Sequence, residues 1–150
     1  MTGILKVDQI QNNTGTSVMT FDSNGHVNLP QAIAFMAQKT DASTHSAGGN
    51  ITFNSTITSH SGWNGTTFTC PVAGKYRFHM SAHMQSMSNS AYQIGIAKGG
   101  TVVIVAYAYN STATRERNSC EAIISCNAGD AITFRLIEGD LYAGSGNSGV

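Results

Sequence analysis

Charge is what this sequence has least of. Only 11% of its 150 residues are Asp, Glu, Lys or Arg, against about 25% in an ordinary soluble domain. Eight basic and eight acidic residues cancel. No basic excess is left to displace counterions from phosphate or to hold an anionic membrane surface, so neither nucleic acid nor membrane is expected as a partner. Carboxylates are sparse as well: after Asp41 the next is Glu116, whereas a hydrolase needs a pair at a set separation. The longest apolar run, Val102 to Ala108, is far short of the roughly 20 residues that cross a bilayer. The opening MTGILKVDQIQ has neither the basic start nor the apolar core of a secretory signal. Three cysteines, Cys70, Cys120 and Cys126, are an odd number for a disulfide framework. Cys120 and Cys126 fall on one apparent strand, about 20 Å apart at ~3.3 Å per residue, so free buried thiols are expected. These absences predict a chain made in a reducing cytoplasm, whose five Asn-x-Ser/Thr triplets need carry no sugar.

What the chain has instead is small polar residues. Ser, Thr, Asn and Gly make up 60 of the 150, or 40%, while hydrophobic residues still reach 41%. That mixture suits short strands joined by tight turns and is too apolar for a disordered tract. Residues 1–30 read as an extended β-hairpin arm, with apolar clusters at Ile4, Leu5 and Val7 and at Val18, Met19 and Phe21. Turn signals follow each cluster, at Asn12-Asn13-Thr14-Gly15 and Asp22-Ser23-Asn24-Gly25. Hairpins this small are marginal alone in water, so the arm must pack on something else.

From residue 31 to 150 the pieces lengthen and alternate with period two, which predicts an all-β head domain. Tyr76, Phe78, Met80, Ala82 and Met84 share one face of a strand; Lys75, Arg77, His79, Ser81 and His83 share the other. The same parity groups Phe68 with Cys70, Tyr92 with Ile94 and Ile96, Cys120 with Ala122, Ile124 and Cys126, and Ile132 with Phe134 and Leu136. The nearly continuous apolar run from Thr101 to Asn110 predicts a strand covered on both faces. Lys98-Gly99-Gly100-Thr101 reads as a hairpin turn rather than a phosphate loop. Several short strands at this spacing predict an antiparallel sandwich or jelly roll.

Phe68-x5-Gly74-x-Tyr76-x-Phe78 resembles a motif of the globular heads of complement subcomponent q and of the wider tumour-necrosis-factor-like jelly rolls. Gln31 to Phe35 is similar to that family's first strand, Asn50 to Asn54 to its short companion, and Ala128-Gly129-Asp130 to the turn into its penultimate strand. The resemblance implies that Phe68, Tyr76 and Phe78 fill the core while Gly74 makes a turn. The chain departs from the pattern at Ser61, where an aromatic or Leu is usual, and at Met80. The family closes with a last strand after a Gly-rich loop like 139–149, and this chain stops at Val150; that strand is absent, supplied by a neighbouring chain, or cut off. The resemblance also implies a homotrimer, in which Arg77, His79 and His83 would face neighbouring subunits. The arm is similar to short N-terminal segments of bacteriophage structural proteins.

No residue set points to catalysis. His79 and His83 on a strand lie about 13 Å apart, too far to share a metal. Glu138-Gly139-Asp140 reads as a solvated turn. Neither a Gly-x-Ser-x-Gly elbow nor a dinucleotide fingerprint occurs. Trp63 has two readings: a loop aromatic capping the core edge, or a platform on which a sugar ring stacks. The expectation is therefore a non-enzymatic virion structural protein without cofactor or metal: a trimeric phage capsid-decoration protein, cement or head spike, on the virion surface. Ile4, Leu5, Val7, Val18 and Phe21 would dock it on the major capsid protein. The alternative is a tail-fibre tip that binds a host surface glycan, with Trp63 in the site.

Overall fold

The alternating stretches become strands. The structure, a computed structural model, describes residues 7–29, 32–40, 45, 47–59, 62–85, 90–110 and 115–141, and no helix occurs among them. Two units are present, Met1–Ala34 and Phe35–Val150.

The first unit is an antiparallel meander of β1 (Gln9–Gln11), β2 (Ser17–Phe21) and β3 (Val27–Asn28). Its two turns close where short acceptor side chains seat backbone amides. Asn12 Oδ1 accepts from the amides of Thr14 and Thr16 at 3.0 and 2.9 Å. Asp22 Oδ1 accepts from Asn24 and His26, both at 2.8 Å. Such Asx turns replace hydrogen bonds that the chain reversal removes.

The second unit holds β4 (Phe35–Gln38), β5 (Gly49–Asn50), β6 (Ser55–Ser59), β7 (Thr67–Thr69), β8 (Gly74–Gln85), β9 (Ser90–Lys98), β10 (Thr101–Asn110), β11 (Arg115–Cys126), β12 (Ala131–Glu138) and β13 (Asp140–Leu141). One sheet runs β10-β9-β12-β5, with β7 also on β12; another runs β11-β8-β13; β4 pairs with β6. All these pairings are antiparallel. The β9–β10 connection is the two-residue hairpin expected from Gly99-Gly100, both at positive φ (56° and 83°), which a primed turn demands.

Parity dictates the core. Phe78, Met80, Ala82 and Met84 of β8 and Cys120, Ile124 and Cys126 of β11 are buried, as are Tyr92, Ile94, Ile96, Ile132, Phe134 and Leu136 from the other sheet. Rings join the layers: Phe78 lies 5.8 Å from Phe68 and 6.4 Å from Phe134. Tyr76 stacks beside Phe78 at 6.0 Å, and its hydroxyl donates to the Val72 carbonyl at 2.7 Å. Gly74 opens β8, where the motif places its turn.

Three expectations need correction. The short companion strand expected at Asn50 to Asn54 is the two-residue β5, Gly49–Asn50, and residues 51–54 lie outside any strand. The apolar run at 101–110 is an edge strand covered on one face: Val103, Val105, Tyr107 and Tyr109 are exposed. The strand expected at Gln31 to Phe35 begins instead at Phe35, because Phe35 is the first residue whose ring finds the core, while Gln31 lies outside the described residues. Where the jelly-roll pattern closes, β13 starts along the free edge of β8, pairing Asp140 with Gln85 and Leu141 with Met84. The rest of the Gly-rich tail lies outside the described residues.

Candidate interaction surfaces

The outward face of β8 carries what parity assigned to it. Lys75, Arg77 and His79 are exposed, and Ser81 and His83 are half-buried. Opposite them on β11 stand Ser125, Ile123, Glu121, Ser119 and Arg117. Arg77 reaches diagonally to Glu121 and donates from Nε and Nη2 to the two carboxylate oxygens, at 2.9 and 2.8 Å. This fork holds the Glu121 carboxyl below its ordinary range and the Arg77 guanidinium above its own. Both side chains are well exposed, so the pair orders the face more than it stabilises the fold. Ile123, 70% exposed, stands across from Arg77 as the one large apolar group on an otherwise polar surface.

The edge strand β10 presents the opposite character. Val103, Val105, Tyr107 and Tyr109 point outward in a row, with Tyr107 61% exposed. On the adjoining face of β9 the residues opposite Val105 and Tyr107 are Gly95 and Gln93. The register slips between Val102 and Ile104, twisting this end of the strand. A side-chain amide ties the two edges together, with Asn118 Nδ2 of β11 donating to the Ala106 carbonyl of β10 at 3.1 Å. The head therefore displays an apolar stripe on β10 and a polar, charged face on β8 and β11.

The arm exposes apolar side chains as well. Val7, Ile10, Val18, Val27 and Leu29 are all exposed, with Val27 at 55% and Leu29 at 50%, whereas Phe21 is half-buried. Ile4 and Leu5 lie outside the described residues. Ile10, Val27 and Leu29 were not among the docking residues expected from sequence. The signal was present in the same short strands, but single apolar residues set among polar neighbours did not stand out.

Trp63 sits within the aromatic cluster. Its ring stacks on Phe35 at 4.5 Å and 10°, and lies 5.6 Å from Phe53 and 6.3 Å from Phe134. Its Nε1 is buried. The indole spends one face on Phe35 and packs as a loop aromatic at the core edge. Gly62, just before it, has φ +111°, and an added Cβ there would run into the Thr69 carbonyl. That backbone is locked by the Thr69 amide donating to Gly62 O at 2.7 Å.

Among the described residues no group of three or more His, Cys, Asp or Glu could hold a metal ion. Among the described residues the tightest ionic pair joins Lys98, at the end of β9, to Asp130 in the turn before β12, with Nζ to Oδ2 at 2.7 Å. The Lys98 hydrogen bond and the Asn127 amide hold the Asp130 carboxyl below the ordinary range; Asp130 in turn raises Lys98. A depressed carboxyl stabilises the fold above its unfolded pKa and loses that contribution as pH falls through about 4 and lower. A raised lysine contributes below its unfolded pKa and loses its share above about pH 10.4. Asp130→Asn should therefore lower Tm by a similar few degrees from pH 5 to 9, and the deficit should vanish toward pH 2.5. A deficit that persists at pH 2.5 in thermal scans would show that the backbone turn, not the charge, is what the substitution damages.

Residues 34–149 match the family model of the C1q domain. The globular domain of zebrafish complement 1qA protein superposes with a TM-score of 0.62 at 18% identity, covering 73% of this chain and 91% of that one. At that identity the likeness carries the fold alone. A comparison with curated protein sequences gave no match.

Proposed function

Since the chain belongs to the C1q-domain family, whose heads typically form trimers, we propose that it is a non-enzymatic homotrimeric structural protein, mounted by its N-terminal arm on a larger assembly. The assembly we propose is the capsid of a tailed phage, on whose surface the trimers would act as cement or head spikes. The observation that carries the reading is the arm: a separate small sheet that leaves Val7, Ile10, Val18, Val27 and Leu29 in solvent. A meander of three short strands cannot bury these residues against itself, and an apolar surface of this kind marks an interaction site. What turns the reading toward a phage capsid is the resemblance of the arm to short N-terminal segments of bacteriophage structural proteins.

Copy number in purified virions, measured by quantitative mass spectrometry against the major capsid protein, tests the proposal. A fixed, high ratio to capsid subunits is expected. A few trimers per particle would move the protein to the tail and make a host glycan the ligand to seek; absence from the particle overturns the virion reading altogether.

A cyclic trimer needs two different faces on each subunit, because a threefold contact is heterologous. The β10 stripe and the β8–β11 face supply such a pair. Val105 and Tyr107 of one copy would lie against the surface of Arg77, His79, His83 and Ile123 on the next. Tyr107→Glu together with Val105→Glu should convert the trimer to a monomer at micromolar concentration in sedimentation, with the circular dichroism spectrum unchanged. A double variant that still sediments as a trimer would remove β10 from the contact.

A further inference from the structure

Two of the three cysteines meet at one end of the head. Cys70 follows β7 and Cys126 closes β11; neither is more than 5% exposed. Sequence spacing keeps Cys120 from Cys126 but says nothing of Cys70, which stands 56 residues before Cys126. The fold seats the Cys70 backbone on the turn that follows Cys126, close enough that the Cys126 thiol raises that of Cys70.

One turn fixes both. The Cys70 amide donates to the Asp130 carbonyl at 2.9 Å, and the Gly129 amide donates back to the Cys70 carbonyl at 2.8 Å. Asn127, the residue after Cys126, donates its amide to Asp130 Oδ2 at 2.7 Å and accepts from the Asp130 amide at 3.2 Å. Lys98 Nζ bridges Asp130 Oδ2 and the Ser125 carbonyl, at 2.7 and 2.8 Å. The backbone beside each sulfur is thus held by hydrogen bonds to the same few residues. The partners belong to different layers, since β7 lies on the β12 sheet and β11 on the β8 sheet.

We propose that Cys70 and Cys126 form a disulfide when the head meets a disulfide oxidant, stapling its two sheets at the 126–130 turn. One thiol gives its proton to solvent, and its thiolate attacks a sulfur of the oxidant R–S–S–R, releasing one R–S⁻. The second cysteine, deprotonated in turn, attacks the protein sulfur of that mixed disulfide and releases the other R–S⁻. The two leaving thiolates take up the two protons. Two cysteine thiols are oxidised and one oxidant disulfide is reduced to two thiols.

Burial, and then the Cys126 thiol, push the Cys70 thiol up to about 12, which leaves little thiolate in the closed head. The exchange is therefore slow on the folded protein and proceeds as the turn opens or as the chain folds. Cys120 is an internal control. It is also buried, with its thiol raised to about 11, but stands about 20 Å along β11 from Cys126.

The full chain would be incubated with oxidised glutathione through a cycle of unfolding and refolding, then alkylated and weighed intact. The expected product has lost the mass of two hydrogens, keeps one alkylatable thiol, and yields a Cys70–Cys126 peptide on digestion. Closing so long a loop should raise Tm by on the order of 10 °C relative to the reduced protein. Cys120→Ala should leave both the bond and the shift in place, and Cys126→Ala should remove both. Three alkylatable thiols, a stable glutathione adduct without an internal bond, or a bond that uses Cys120 would each overturn the proposal. The mass measurement on the unsubstituted chain decides the matter even if a cysteine variant fails to fold.

Discussion

Phe68→Ala should destabilise the head by about 3–5 kcal/mol, the cost of emptying a fully buried aromatic site. Phe68 is 1% exposed and touches rings from several elements. It stacks on Phe35 of β4 at 4.9 Å and meets Tyr76 and Phe78 of β8 edge-on, each at 5.8 Å. Its own strand, β7, spans three residues; it pairs with β12 through Thr67, Phe68 and Thr69, and on its other side Phe68 bridges to Trp63. Hydrogen bonds on both sides hold the backbone of so short a strand, and the ring anchors it to the aromatic cluster between the layers. With total stabilities of about 5–15 kcal/mol typical, the loss would consume a large part of the whole. Ile57→Ala, at an exposed position of β6, should stay within about 0.5 kcal/mol. Denaturant midpoints of the two variants check this, and a Phe68→Ala loss under 1 kcal/mol would mean that the cluster refills the site.

The contrast between those two residues is also what made the fold legible in the sequence. A strand buried on one side must alternate, and the stretch from Lys75 to Met84 alternates without error, so the faces of β8 could be read before any pairing was known. The β9–β10 hairpin was legible for a different reason: two adjacent glycines are what a primed turn requires. The same logic failed on Thr101 to Asn110. Val and Tyr on its outer face are indistinguishable by type from core residues, and whether they are covered depends on what lies beyond the edge. An apolar run therefore signals burial against something, not burial within this chain. Trp63 was ambiguous because its partner, Phe35, lies 28 positions away and is brought to it only by the fold. The approach of Cys70 to the turn after Cys126 was hidden for the same reason. No local pattern encodes the meeting of a strand end and a turn that belong to different sheets.

If the arm is the mounting device, deleting residues 1–30 should abolish capsid association and leave a folded trimer. The head unit begins at Phe35 and keeps its buried core from Ala37 onward, so the deletion takes nothing from the packing described above. Each arm offers only a small apolar surface on short strands, which gives weak binding singly. Three arms on one trimer act together through their effective concentration, and avidity of 10²- to 10⁴-fold is the usual gain. The loss on deletion should therefore be steep. Val18→Asp with Phe21→Asp, which places charge on β2 in every arm at once, should come close to reproducing it. Co-sedimentation with capsids that lack the protein gives the readout, with sedimentation velocity of the truncated chain confirming the trimer. Undiminished binding by the truncated head would place the docking surface on the head itself. Monomers after truncation would instead mean that the arm assembles the trimer, and that the β10 stripe cannot do so alone.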